Sequence, residues 1–348
     1  MKNKISGILK NQETVLLVLL IVIFTVIALI SPKEFLSKYN FQSMSSQFPE
    51  LGIISLGMMV VILSGGIDLS IVSVSTLAGV TGAWIMTTWG PPIEMGVEGL
   101  ERATGSGVLS GPMVTVVAII AIFIVALICG FINGFFITKV GISPILVTLA
   151  SMTLFEGISL YFTKGGSIAG LASPFVKIAK IDIFNVPLLL IIFIVVAIIA
   201  GVFLERSSWG RSVYMLGSNP LASLFSGINT KRVTMSVYLF SAAMAAIAAI
   251  IMSARYNSAK IGTGSSYILQ SITIVVLGGV SISGGYGRIT GVVIATLIWQ
   301  VLKSGLNIIG VSQYLADIFA GGILIIVLIL NLYIERTRVL KPQKYKID

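Results

Sequence analysis

The sequence predicts an all-α polytopic membrane protein of about ten transmembrane helices, with two Gly-rich broken spans and with the N and C termini cytoplasmic. Three observations predict it. The first is composition: 56% of the 348 residues are apolar and 10% are charged, against about 25% charged in a soluble domain. A soluble fold hiding that much apolar surface would need a charged exterior, and the charge is not there. The second is the gathering of apolar residues into long uncharged runs, and the third is the placement of Lys and Arg at the ends of those runs. These exclude a disordered chain, a secreted disulfide scaffold and an ordinary cytosolic enzyme.

A spanning helix takes about 20 apolar residues, so ten use roughly 200 and leave about 150 for ends and loops. No large soluble domain fits in that remainder. Residues 1–348 are therefore read as one membrane domain, with its membrane part at 14–332. Thr14 to Ser31 follows Lys2, Lys4 and Lys10, and is read as a retained helix because Ser31-Pro32-Lys33 is no small-x-small cleavage site. Leu51 to Ser64 is short and leads into a glycine pair, and Leu69 to Trp89 follows at once. Met113 to Thr138, Ser143 to Phe162, Val186 to Leu204 and the Ala-rich Val233 to Ala254 are full spans. Ser271 to Ser283 is again short and ends at a glycine pair; Ile289 to Ile309 and Ser312 to Leu332 close the membrane part.

An even number of spans puts both termini on one side. That side collects Lys2, Lys4, Lys10, Lys139, Arg206, Arg211, Lys231, Arg232, Arg288 and the basic tail from Arg336 to Lys346. The other carries fewer bases (Lys33, Lys38, Arg102, Lys164, Lys177, Lys180, Arg255, Lys260) and the acidic Glu94, Glu98 and Glu101. The excess marks the terminal side as the cytoplasm and the protein as one of the cell membrane. The net charge of +10 is thus a topology signal and a lipid-facing rim, and no nucleic-acid footprint.

Ser64-Gly65-Gly66 is followed by Ile67-Asp68-Leu69-Ser70, and Ser283-Gly284-Gly285 by Tyr286-Gly287-Arg288. Each pair is read as joining half-spans too short for a normal loop. Unwound backbone at membrane depth is tolerated where it packs in protein or lines a cavity, while glycines also serve close helix packing. The broken spans place Gly65, Gly66, Asp68, Ser70, Gly284 and Gly285 near a central path, and Asn133 is assigned to the same set. Asp68 is read as capping the next helix, where orphan N–H groups stabilise a carboxylate.

Residues 205–232 form the longest cytoplasmic connection. Asn219-Pro220 is a helix-start signal, and a helix there would set Leu221, Leu224 and Phe225 on one face. Gly217 before it and Gly227 after it would allow sharp turns. Two readings stand: a helix resting on the bilayer surface, or one that docks into a partner.

Other chemistry is sparse. GxxxxGK[ST], HExxH and Cys/His clusters are absent, and the chain contains no His, which leaves a nucleophilic Ser without its usual base. The chain is read as neither an enzyme nor the holder of a cofactor or metal. Charges inside a membrane are costly and therefore informative: Asp68, Glu156, Lys303 and Asp317. Lys303 and Asp317 lie at matching distances on either side of Gly310 and are read as an intramembrane ion pair, with Glu156 reaching outward.

SGGIDLSIVSVSTLAGV (64–80), VYMLGSNPLASLFSGINTKRV (213–233) and VVLGGVSISGGYGRITGVVIATLIWQVLKSGLNIIGVS (275–312) resemble the signatures of the ribose-type ABC sugar permeases, and INGFFITKVGISPILVTLASM (132–152) fits between them. The likeness runs from about residue 50 to 332 in the family's order. It implies the permease subunit of an ATP-driven ABC importer for a sugar or similar small polar solute. The partners it implies are a second copy or a related permease, an extracytoplasmic solute-binding protein, and a cytoplasmic ABC ATPase that binds the ATP and Mg. It also implies that 217–228 is the coupling helix to that ATPase. Three departures stand on or near the path: Val72 in place of a family Gly, Glu156 in place of an Arg, and Ile268 and Gln270 in place of two carboxylates. The competing class is a secondary carrier or channel that works without an ATPase.

Overall fold

The computed structural model describes residues 12–91 and 106–311 and the single positions 315, 318 and 322. Its helices are α1 (Gln12–Ile30), α2 (Pro32–Phe35), α3 (Lys38–Leu63), α4 (Ile71–Trp89), α5 (Gly111–Phe135) with a π turn at Phe136–Val140, α6 (Pro144–Thr163), α7 (Ser173–Lys177), α8 (Leu188–Arg206), α9 (Ser208–Ser218), α10 (Pro220–Phe225), α11 (Thr230–Tyr256), α12 (Tyr267–Leu277) and α13 (Ile289–Ile308). Among the described residues eight helices are long and apolar enough to cross a membrane, and α12 is a shorter apolar helix. The last predicted run, Ser312 to Leu332, lies almost wholly outside the described residues, as do Glu94, Glu98, Glu101 and both termini.

Two boundaries differ from the sequence reading. The second span is no half-span: α3 is 26 residues long and starts at Lys38, where Ser37 accepts a capping bond from the Asn40 N–H. Its first half, KYNFQSMSSQF, reads as a loop by hydropathy. The helix hides that polarity within itself, since the Ser45 and Ser46 hydroxyls donate to the carbonyls of Phe41 and Gln42. The first glycine break therefore joins two full-length helices. The second does follow a short helix, but α12 stops at Leu277, and 278–288 turn back as irregular chain before α13.

The fold is also not wholly helical. Strand β1 (Ser167–Ala169) pairs antiparallel with β4 (Ser258–Lys260), Ile168 opposite Ala259. Strands β2 (Asp182–Ile183) and β3 (Val186–Pro187) form a hairpin. These ladders gather the connections around 164–187 and 257–266 at one end of the bundle, the ladder end. Bonds among Leu63, Ile67, Thr148, Tyr214, Gly285 and Gly287 gather the connections around 64–70, 136–143, 207–229 and 278–288 at the other, the loop end.

Helix α3 runs through the middle. The most apolar stretch of α1 is 11% buried, that of α3 89%. Lipid is as apolar as Leu, so outer helices need only be greasy, while inner ones need small residues that let backbones approach. Hence α11 presents Ala242, Ala245, Ala246 and Ala249 inward, and Gly130 of α5 sits where a Cβ would come 2.5 Å from Ala242 Cβ.

Candidate functional site

Three clusters of polar or closely packed residues stand out in this apolar bundle. The first is built on the break between α3 and α4. Gly65 ends the helix at φ +86°, with its N–H on the Ile62 carbonyl at 2.9 Å. The chain then brings Asp68 back over the start of α4. Its Oδ1 accepts from the Ser70 N–H at 3.0 Å and the Ser70 hydroxyl at 2.6 Å. Its Oδ2 accepts from the Ser241 hydroxyl of α11 at 2.7 Å. Ser70 in turn accepts from Asn133 Nδ2 of α5 at 2.8 Å. Asp68 is thus not the N-cap of α4, which is Ser70; it holds Ser70 in place, and through Ser241 and Ser70 it ties α11 and α5 to the start of α4. Asn133 Oδ1 and the Tyr238 hydroxyl are buried without a hydrogen-bond partner among the described residues.

The second cluster joins both glycine breaks to α9. The Gly285 N–H donates to the Leu63 carbonyl at 2.9 Å. Gly217 lies against the same two groups: a Cβ there would stand 1.8 Å from the Leu63 oxygen and 2.6 Å from the Gly285 nitrogen. A Cβ on Gly284 would stand 3.0 Å from the Gly65 nitrogen and 2.9 Å from the Gly217 oxygen. The Tyr214 hydroxyl donates to the Gly287 carbonyl at 2.7 Å. Burial, with the nearby Glu205 charge, pushes Tyr214 up to about 12, so this hydroxyl keeps its proton at neutral pH.

Gly217 is therefore no turn residue. It is a helical residue of α9 whose missing side chain lets three backbones meet. The turn is made by Asn219, extended at φ −160°, which ends α9 and caps α10 by accepting from the Ala222 N–H. Gly227, at φ +82°, does turn the chain after α10. Leu221, Leu224 and Phe225 are 68%, 53% and 87% exposed on the outer side of α10. Ser223 faces inward and is buried.

The third cluster lies toward the ladder end. Glu50 of α3 is completely buried and forms an ion pair with Arg255 of α11. It also accepts from the hydroxyls of Tyr267, at 3.0 Å, and Tyr256, at 3.4 Å. Lys303 Nζ stands 5.7 Å from the Tyr267 ring centre, which brings α13 to the same cluster. Asp317, predicted as the partner of Lys303, lies outside the described residues. Sequence reading missed Glu50 and Arg255 because it set both beyond the ends of their spans; the helical spacing of the hydroxyls in 41–46 is the signal that extends α3 around Glu50. Glu156 does not reach outward: it accepts from Ser73 of α4 at 3.1 Å.

No group of three or more His, Cys, Asp or Glu able to hold a metal is present among the described residues. A crevice of about 400 Å³ between α1, α3, α8 and α13 is lined by Leu20, Phe24, Met44, Phe48 and Leu297, and is too apolar to carry a polar solute. What the arrangement offers is mechanical: an apolar helix face displayed at one end, tied through bare backbone to two irregular loops.

The sequence profile described as branched-chain amino acid transport system / permease component matches residues 40–328. The ribose import permease protein RbsC of Bacillus subtilis (strain 168) is 33% identical over 314 residues, 90% of each chain. The autoinducer 2 import system permease protein LsrD of Salmonella typhimurium is 31% identical over 291 residues, 82% of this chain and 81% of that one. The same protein of Escherichia coli O9:H4 is 30% identical over the same length. No solved structure matches the chain.

Proposed function

The chain belongs to the branched-chain amino acid transport system / permease component family, and from that premise we propose how it works as the permease subunit of an ABC importer. Its cargo is a sugar or a similar small polar solute, in keeping with the ribose and autoinducer 2 import named for its relatives. It spans the membrane with about ten helices, with both termini cytoplasmic, as the Lys and Arg excess on that side supports. The loop end then faces the cytoplasm. A cytoplasmic ABC ATPase seats on α10, a solute-binding protein delivers cargo at the ladder end, and a second copy or a related permease completes the path. ATP and Mg bind to the ATPase and none of the energy-yielding chemistry occurs on this chain. Gly65, Gly66, Asp68, Ser70, Asn133, Gly284 and Gly285 lie near the path, and Lys303 pairs with Asp317 within the membrane.

The observation that carries this reading is α10. It is six residues long, too short to span, is capped at its start, and displays Leu221, Leu224 and Phe225 to the outside. Apolar anchors of this kind dominate small interfaces, while Arg211, Lys231 and Arg232 around them steer approach.

Reconstitution tests the reading. A ligand-melting screen of the exported binding protein encoded nearby names the solute. Vesicles holding this chain and the neighbouring ATPase, with that binding protein outside, then take up the solute only when MgATP is inside. Uptake by the chain alone on a proton or sodium gradient contradicts the reading.

A further inference from the structure

The proposed function makes α10 the place where a partner pushes, and leaves open how the push reaches the membrane. Between α10 and the bundle lies α9, and α9 meets the bundle in an uncommon way. At Gly217 no side chain intervenes: its Cα lies against the Leu63 carbonyl and the Gly285 N–H, which are themselves bonded to each other at 2.9 Å. Gly284 closes the contact against Gly217 and Gly65, and Gly285 lies so near Ser218 that a Cβ would come 2.2 Å from its hydroxyl oxygen. One helical turn earlier, Tyr214 holds the Gly287 carbonyl from the other side.

We infer that Gly217 and Tyr214 are positioning residues through which movement of the ATPase is passed to both glycine breaks at once. The reason is stiffness. Side chains between two elements hop rotamers and take up small displacements, whereas backbone in van der Waals contact has no such freedom, and close-packed interiors transmit strain. A displacement of α9 along the Gly217 contact moves the end of α3 and the loop 278–288 together.

Each loop leads on into the membrane. Beyond Gly65 the chain reaches Asp68, which holds Ser241 of α11 and, through Ser70, Asn133 of α5. Before Gly284 it reaches Gly278, whose carbonyl abuts the start of α13 so closely that a Cβ on Gly291 would stand 2.1 Å from it. The first loop thus leads to α4, α5 and α11, and the second joins α12 to α13.

This inference rests on the proposed ATPase docking, and its test separates the two. A nitroxide is placed at Ser283→Cys, an exposed position of the second loop, in a Cys129→Ala background, and the complex with its ATPase is reconstituted. MgATP with vanadate changes the spectrum relative to the nucleotide-free complex. Tyr214→Phe removes only the bond to Gly287, and Gly217→Ala forces the three backbones apart. In both variants the ATPase stays bound and hydrolyses ATP, while the nucleotide-dependent change at 283 falls about fivefold or more. An undiminished change in both variants overturns the inference, as does a parent complex that shows no change, or variants that lose the ATPase, since the junction then serves assembly. Failure of the parent chain to bind any ATPase overturns the docking itself.

Discussion

Glu50 and Arg255 pair inside the bundle although 205 positions separate them. The pair ties the middle of α3 to the end of α11, and two tyrosine hydroxyls occupy a Glu50 oxygen as well. Removing one partner of a buried pair strands the other, at a cost of about 3–5 kcal/mol. Glu50→Leu and Arg255→Met should each destabilise by that order, and the double variant by clearly less than their sum. Thermal unfolding of the purified permease in detergent measures it; strictly additive losses would show that the two side chains do not act as a pair.

Asp68 is the node of the first cluster, and Ser241 is its tie to α11. An intramolecular hydrogen bond contributes about 0.5–1.5 kcal/mol. Ser241→Ala should cost that order of stability and loosen α11 from α4. Melting of the variant in the same detergent checks it, and a wild-type melting temperature would mean that the bond is not made.

The glycines of the two breaks are required for different reasons, and asparagine separates them. Gly65 adopts φ +86° but a Cβ there meets nothing within 4 Å, and Asn tolerates such a conformation. Gly65→Asn should retain stability, whereas Gly65→Val, which cannot adopt that backbone, should abolish uptake while the chain still inserts. Gly285→Asn should melt measurably lower than Gly65→Asn, because its Cβ runs into Ser218. Equal effects of Asn at both positions would remove the distinction.

Helix α10 depends on its cap. Asn219→Ala takes away the acceptor for the Ala222 N–H and should cost about 1 kcal/mol locally, with Asn219→Asp close to wild type. Hydrogen exchange of residues 222–226 reads this directly, as faster exchange in the Ala variant alone.

Much of this architecture is legible in the sequence, and the failures have physical causes. Asn219-Pro220 announces α10 because the cap and the fixed φ of proline are local signals. The true start of α3 is not legible by hydropathy, because Ser45 and Ser46 satisfy their hydroxyls on their own helix and so cross the membrane region without looking apolar. The missed Glu50–Arg255 pair follows from that error. Nor does the sequence distinguish a glycine that turns the chain, as Gly227 does, from one that admits another backbone, as Gly217 does: both are a glycine beside a polar loop, and the difference lies in a tertiary contact with residues 63 and 285.

The central claim is that α10 seats a cytoplasmic ATPase. Ser226 is exposed beside Phe225, and Ser226→Cys in a Cys129→Ala background provides a single reactive position next to the displayed face. Crosslinking from this introduced thiol in the assembled complex should capture the ATPase, and Leu224→Glu should abolish the capture while the permease stays in the membrane. Labelling of the same thiol by lipid-borne reagents, with no crosslink to the ATPase in a complex that still hydrolyses ATP, would contradict the claim.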